Sequence, residues 1–217
     1  MTKKEMVDRV QAWLGLQNID DFNELPLVED ELYRGTIDLL ARTRCVVRCV
    51  HLRTQANVGV YTLDHAILSF VDLEDGQTRK ARRDQTGWNG TFTMIRSDIL
   101  RLNPAPTEDG GELDVWSVMR PQKMVEDTDS PGMEQFGAIP EEFQDAIELY
   151  ALWKISDYGD DASSQAGERY RLLYEGADGR GGRLQEVRRL VNKRGTARAA
   201  PRRVRLPAKG YRGLWVG

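Results

Sequence analysis

The chain has 217 residues, of which 40% are hydrophobic and 30% charged, a composition typical of one globular domain with or without appendages. It contains no apolar run of about eighteen residues and no N-terminal apolar segment, so we expect neither a membrane span nor a signal peptide. The formal net charge of −3 is unevenly distributed: residues 180–217 hold twelve Lys or Arg and one acid, a net +11, which leaves −14 on the remainder.

Residues 1–44 are predicted to form the N-terminal helices of a bundle. Thr2 and Glu5 have the spacing of a capping box, and the apolar residues after them recur at helical intervals as far as Gly15. A second helix is predicted over residues 26–44, because a proline suits its first turn and an apolar face follows.

The next segment, residues 45–125, is predicted to be a small antiparallel β region inserted into the bundle. It is rich in β-branched and aromatic residues, and turn residues divide it. Strands are predicted at 45–52, 58–63, 66–76 and 112–121, and a further short one in "TFTMI". The segment "RSDILRLNPAP" contains Asn-Pro and is interpreted as a loop. In the last strand, Leu113 and Val115 are expected on one face and Val118 on the other.

Residues 138–194 return to helical periodicity and are interpreted as the C-terminal helices of the bundle. The first helix, in "PEEFQDAIELYALWKISDY", has one apolar face that ends in Tyr158 and further apolar residues around it. Two interpretations are open: a wholly buried central helix, or a helix that also contacts a neighbouring copy of the chain. The second helix has Ala166, Tyr170, Leu173 and Tyr174 on one side, and "GADGRGG" interrupts the pattern before an arginine-rich last helix. In that helix we expect Leu184, Val187 and Val191 to point inward and the arginines outward.

Residues 195–217 lack periodicity and are predicted to form an extended basic arm. The arm could bind nucleic-acid phosphates in a salt-dependent manner, or lie on an acidic protein surface with its tryptophan as an anchor. A tail that only solubilises the chain is the third alternative. The residues proposed to bind a partner are Arg198, Arg202, Arg203, Arg205, Lys209, Arg212 and Trp215.

The sequence offers no catalytic or cofactor-binding motif. It has no nucleophile elbow, Walker loop or dinucleotide fingerprint. Neither His51 nor His65 has a second ligand at the usual metal-binding spacing, and Cys45 and Cys49 are interpreted as reduced thiols. We therefore expect no enzymatic activity, no cofactor and no metal ion.

The C-terminal helices and the β region together resemble the head–tail adaptor (connector, or head-completion) proteins of tailed bacteriophages. The resemblance rests on "PEEFQDAIELYALWK", an Asp-rich turn followed by "SSQAGERYRLLYE", and the strands in "VYTLDHAILSFVDLE" and "LDVWSVMRPQKM". It spans roughly residues 5 to 195, and "GADGRGG" departs from the continuous helix typical of the family.

The resemblance implies a structural protein of the virion neck, made in the host cytoplasm. It implies an α+β fold, mainly a helical bundle with the inserted β region and the extended arm, and a ring of twelve copies under the portal protein. The arm would bind the portal, the opposite face would receive a downstream neck or tail protein, and genome DNA would pass through the channel. Bundle or subunit packing would involve Phe143, Ala146, Tyr150, Ala151, Leu152, Trp153, Tyr170 and Tyr174. The alternative function is a non-enzymatic DNA-binding protein that uses the basic tail.

Overall fold

The fold is α+β, as the sequence predicted, with β strands that lie between two groups of helices along the chain. The basic arm, His65 and most of the charged segment at 77–90 lie outside the described residues. The computed structural model describes residues 1–15, 25–64, 66–75, 79–80, 91–107, 109–132, 138–158, 161–177 and 180–194.

Within these residues, five helices form a bundle: α1 (Lys3–Leu14), α2 (Leu25–Thr43), α3 (Glu141–Asp157), α4 (Asp161–Glu175) and α5 (Arg183–Arg194). Helix α3 packs against each of the other four. The apolar residues on different sides of α3 are thus covered by different neighbouring helices. No helix in the described part of the chain is long and apolar enough to cross a membrane.

Local sequence explains where α1 begins and ends. The Glu5 backbone N–H donates to Thr2 Oγ1 at 3.3 Å, and the Thr2 N–H donates to Glu5 Oε2 at 2.8 Å, which completes the predicted capping box. Gly15 ends the helix at a φ of 73°, a left-handed conformation that glycine adopts without steric cost.

Seven strands follow α2 and precede α3 in the described residues. They are β1 (Arg48–Arg53), β2 (Val60–Thr62), β3 (Ile67–Asp75), β4 (Arg79–Lys80), β5 (Thr91–Arg96), β6 (Ile99–Asn103) and β7 (Glu112–Met119). They form an antiparallel four-stranded sheet in the order β1-β7-β3-β4 and an antiparallel three-stranded sheet in the order β2-β6-β5.

Strand β7 contributes to two separate hydrophobic cores. Leu113 and Val115 lie in the core between the two sheets, together with buried residues of β2, β5 and β6. Val118 belongs to the core of the helical bundle, and Trp116 packs against that core. The alternation predicted for this strand is confirmed, and it joins the sheets to the helices.

The interpretation of "RSDILRLNPAP" as a loop was wrong for residues 99–103, which form β6. Leu100 and Leu102 are buried in the core between the sheets, at the two-residue spacing of a strand. Asn103-Pro104 ends the strand and does not abolish it, since the proline follows the last paired residue.

The glycine-rich segment between α4 and α5 forms a short antiparallel hairpin of β8 (Gly176–Ala177) and β9 (Arg180–Gly181). A Cβ atom at Gly182 would collide with the backbone of Tyr174, Glu175 and Gly176, so only glycine fits at this point. The break seen in the sequence is therefore a tight connection that brings α5 back against the bundle.

Candidate assembly surfaces

The residues predicted to set bundle or subunit packing lie on α3 and α4, and the structure uses most of them inside the subunit. Five of them are at most 2% exposed, namely Phe143, Ala146, Ala151, Leu152 and Tyr174. The other three, Tyr150, Trp153 and Tyr170, are partly buried against the same core. These positions favour the central-helix interpretation of α3; contact with a neighbouring copy through the partly buried side chains stays a prediction.

Tyr150, Trp153 and Tyr174 form an aromatic cluster where α3 packs against α4. The Tyr150 ring meets the Trp153 and Tyr174 rings edge-on, with centroid distances of 5.7 Å and 5.6 Å. The Lys154 Nζ atom lies 3.6 Å from the centroid of the Trp153 ring, which is a cation–π arrangement. The cluster therefore has a buried side within the bundle and a charged side next to Trp153.

A polar network lies beside the aromatic cluster and connects three helices. Tyr174 Oη donates a hydrogen bond of 2.5 Å to Asp38 Oδ2, and Arg42 Nη1 pairs with Glu175 Oε1 at 2.8 Å. The Arg188 Nε atom donates to the Arg42 carbonyl oxygen at 2.9 Å. Burial, followed by the negative charge of Asp38, raises the pKa of Tyr174, so this phenol stays protonated and donates. The network holds α2, α4 and α5 together.

Close approach of α2 and α3 positions the aromatic cluster. A Cβ atom at Gly35 would lie 3.1 Å from the Ile147 carbonyl oxygen and 3.1 Å from the Tyr150 ring. Because Gly35 has no side chain, Tyr150 can lie directly against the backbone of α2.

The N-terminal helix is attached to α3 by polar contacts. The Met1 amino group donates to Gln144 Oε1 at 2.9 Å, and Arg9 Nη1 lies 3.5 Å from Glu148 Oε1. Glu148 is buried, and burial raises the pKa of its carboxyl group, which Arg9 opposes. Burial of the charged Glu148 carboxylate lowers the stability of the fold, and the positive charge of Arg9 on α1 partly offsets this loss.

Several large apolar side chains remain exposed and are available for contacts with other molecules. Two residues of the predicted helix faces are among them: Tyr158 is 63% exposed because α3 ends at Asp157, and Leu173 is 47% exposed because α4 turns Gly167 and Tyr174 inward. The faces predicted on α3 and α4 are therefore not buried at Tyr158 and Leu173. The other exposed apolar residues are Trp13, Leu25, Val60, Ile95, Val125 and Leu172.

The four-stranded sheet brings three potential metal ligands close together, and the sequence did not predict this cluster. Single ligand atoms of Cys49, His51 and Asp114 all lie within 4.8 Å of one another, and His51 Nδ1 is 2.7 Å from Asp114 Oδ1. The available signal was Cys-x-His within one strand, because alternate strand residues share a face. No sequence spacing pointed to Asp114, because only the pairing of β7 with β1 places it beside His51.

The last helix has the predicted orientation, with Leu184, Val187 and Val191 fully buried. Arg183 is paired with Asp145 of α3 at 2.8 Å and with Glu186 at 2.6 Å. The predicted partner-binding residues of the arm follow this helix and lie outside the described residues: Arg198, Arg202, Arg203, Arg205, Lys209, Arg212 and Trp215.

Comparison with known proteins gives a family match that covers nearly the whole chain. The family model described as "SU10 adaptor protein" matches residues 1–205. No curated protein matches significantly. A chain of the solved structure "Neck of empty GTA particle computed with C6 symmetry" is 18% identical, with 76% of this chain and 87% of that chain covered. The TM-score between the two chains is 0.29.

Proposed function

Because the chain belongs to the SU10 adaptor protein family, we propose that it is a structural head–tail adaptor in the neck of a phage-like particle. The family match carries the proposal, since it spans the bundle and both sheets. It also confirms the resemblance to head–tail adaptors that the sequence predicted. An adaptor acts by contact with other subunits, so its function depends on its surfaces.

The proposed assembly is a ring of copies, twelve in number, under the portal protein. Neighbours in a closed ring meet through two different faces, so each subunit needs two complementary surfaces. Exposed apolar side chains on different helices support this: Trp13 on α1 is 64% exposed, and Leu172 and Leu173 on α4 are 41% and 47% exposed. Large apolar groups outside the core are typical of interaction sites when they lie close together.

The proposed contact with the portal is made by the basic arm, residues 195–217. Its cationic side chains suit an acidic protein surface, and Trp215 suits a pocket at that surface. Several arms that act together would bind far more tightly than a single arm, because every arm after the first binds within the same complex. The opposite end of the ring would receive the next neck or tail protein, and genome DNA would pass through the channel.

We propose a non-enzymatic role, which the use of polar groups in the described bundle supports. The acids and bases gathered there join helices: Asp38 binds Tyr174, Arg42 binds Glu175, and Arg183 binds Asp145. Each of these groups has a structural partner within the subunit, as expected when side chains stabilise a scaffold.

The test mixes purified protein with portal rings and examines the complexes by electron microscopy. The full chain should give a second ring stacked on the portal, and a chain that ends at residue 194 should not. A full-length control in which Lys4 and Lys193 are changed to Gln removes two exposed charges outside the arm and should still dock. Failure of the full chain to dock across a range of salt concentrations would contradict the proposal.

The same two chains distinguish the alternative function, DNA binding by the tail. An adaptor should bind duplex DNA weakly, whether or not the arm is present. A DNA-binding protein should bind duplex DNA with an affinity that falls steeply with salt, and removal of residues 195–217 should abolish that binding.

A further inference from the structure

We propose that Cys49, His51 and Asp114 bind a divalent transition-metal ion of the zinc class on the face of the four-stranded sheet that points away from the core between the two sheets. Thiolate, imidazole and carboxylate are the three side-chain types that zinc takes as ligands, and a thiolate disfavours magnesium and calcium. None of its three residues belongs to the aromatic cluster, and the proposal does not depend on the proposed assembly.

Strand register places the three residues on one side of the sheet. Cys49 and His51 are separated by one residue in β1, so their side chains lie on the same face. Asp114 of β7 is the direct cross-strand partner of His51. Directly paired residues of antiparallel strands have Cβ atoms about 4.5–5.5 Å apart, which suits a shared metal ion.

The observed distances require only small side-chain adjustments for metal binding. Bond lengths of about 2.0–2.3 Å in a tetrahedral zinc site place ligand atoms roughly 3.3–3.7 Å apart. The ligand atoms here lie within 4.8 Å of one another, and His51 Nδ1 and Asp114 Oδ1 are 2.7 Å apart. Rotations that move these atoms by about 1 Å would give the tetrahedral spacing without a change of the backbone.

In the described part of the chain, three side chains supply three of the four positions of a tetrahedral site. The His51 side chain is 80% exposed and the Asp114 side chain 32% exposed, so water can reach the site. Three protein ligands with a free fourth position can hold a water molecule or accept a donor group from another molecule.

A bound ion would link the edge strand of the sheet to its neighbour. β1 is an edge strand that pairs with β7, and β7 contributes residues to both cores. An ion bound by both strands would stabilise the folded state through its binding free energy, because the unfolded chain does not hold the ligands together.

The test uses the full chain without an affinity tag, reduced and freed of metal by a chelator. Co²⁺ is titrated first, because a thiolate ligand gives a charge-transfer absorption, and Zn²⁺ binding is then measured by calorimetry. We expect one ion per chain and a rise in melting temperature with Zn²⁺. Cys49→Ser should abolish the charge-transfer absorption. Cys49→Ser, His51→Gln and Asp114→Asn should each weaken Zn²⁺ binding about tenfold or more, since even groups that only orient ligands contribute 10–100-fold.

The chain supplies matched controls in its other cysteine and its other histidine. Cys45→Ala and His65→Gln should retain the Co²⁺ absorption and the Zn²⁺ affinity, and circular dichroism checks that every variant is folded. Absence of saturable binding at one ion per chain would overturn the proposal. So would a Co²⁺ absorption that survives Cys49→Ser, or an equal loss of affinity in the two controls.

Discussion

At the scale of single residues, Tyr174 stabilises the bundle in two ways, through its ring and through its hydroxyl group. Its ring is fully buried in the aromatic cluster, and its hydroxyl donates to Asp38 across the interface between α4 and α2. The carboxylate of Asp38 also lies 3.4 Å from Arg42. A buried hydrogen bond to a charged acceptor contributes more than one between neutral groups.

Tyr174→Phe should lower the free energy of unfolding by about 1.5–3 kcal/mol, because the ring remains while the hydrogen bond to a charged group is lost. Chemical denaturation of the two proteins measures the difference. Tyr170→Phe, one helical turn earlier on α4, is the control and should change stability by no more than about 0.5 kcal/mol. Equal losses for the two variants would show that the bond to Asp38 does not stabilise the fold.

Glu148 provides a pH-dependent prediction. Burial raises the pKa of its folded-state carboxyl above the unfolded value, so ionised Glu148 destabilises the protein at a pH above the folded pKa. Glu148→Gln removes this cost and also the contact with half-exposed Arg9, which solvent screens. At neutral pH the variant should be as stable as the original chain or more stable, by less than about 1 kcal/mol.

As the pH falls through the folded pKa, the original carboxyl takes up its proton and the cost disappears. The relative stability of Glu148→Gln should therefore decline toward acid pH, which denaturation curves at a series of pH values would show. Glu141→Gln, at an 81% exposed position on the same helix, is the control and should show no such trend. A relative stability that rises on acidification would mean that the folded pKa is lowered.

At the scale of elements, the position of α3 depends on its contact with α2 at Gly35. Helices that cross through a glycine approach closely, and here the Ile147 carbonyl oxygen and Tyr150 occupy the space where a side chain would lie. This contact places the aromatic cluster between α2, α3 and α4. The bundle therefore depends on the smallest side chain in its second helix.

Gly35→Leu should lower the free energy of unfolding by at least about 2 kcal/mol, although leucine has the higher helix propensity by about 1 kcal/mol. The larger side chain must displace α3, whose backbone carbonyl cannot move independently of its helix. Thermal and chemical denaturation measure the effect. Ala41→Leu, at an exposed position of α2, adds the same side chain where it is free to enter solvent and should leave stability unchanged within about 0.5 kcal/mol. If both variants behave alike, the close contact is not significant.

At the scale of the whole molecule, the exposed apolar residues matter more than the buried ones for the proposed function. The core residues stabilise each subunit, and α3, which the sequence offered as a subunit contact, is enclosed by four helices. Leu172 and Leu173 are adjacent on α4, and both side chains are partly exposed, so together they form an apolar patch. They are the strongest candidates for contacts between copies in the described part of the bundle.

The double variant Leu172→Ser, Leu173→Ser should reduce the number of copies that assemble on a portal ring, with affinity weakened at least about tenfold, equal to 1.4 kcal/mol. The melting temperature of the free subunit should fall by only a few degrees, because both side chains are already partly exposed to water. Native mass spectrometry counts the copies per complex. Val125→Ser, at a 71% exposed position outside the bundle helices, should assemble normally. Normal assembly of the double variant would show that this face is not an interface.

The sequence alone determined the features that depend on neighbours along the chain. The capping box of Thr2 and Glu5 and the terminal Gly15 act within one turn of helix, and they fixed α1. Alternation of buried residues in β7 likewise follows from local geometry. The distributed pattern of the helices and strands led to the adaptor family, which the match over residues 1–205 confirms.

Tertiary structure decided what depends on residues far apart in the chain. Apolar residues on all sides of α3 fitted either a central helix or a subunit contact, and only the packing of four other helices favoured the first. Asp114 meets His51 because β7 pairs with β1 across a separation of sixty-three residues. Helix caps and the alternation of strand residues can be predicted from adjacent residues, because the interactions that determine them join residues close together in sequence. Strand pairing and helix packing depend on the free energy of the whole fold, which no short segment contains.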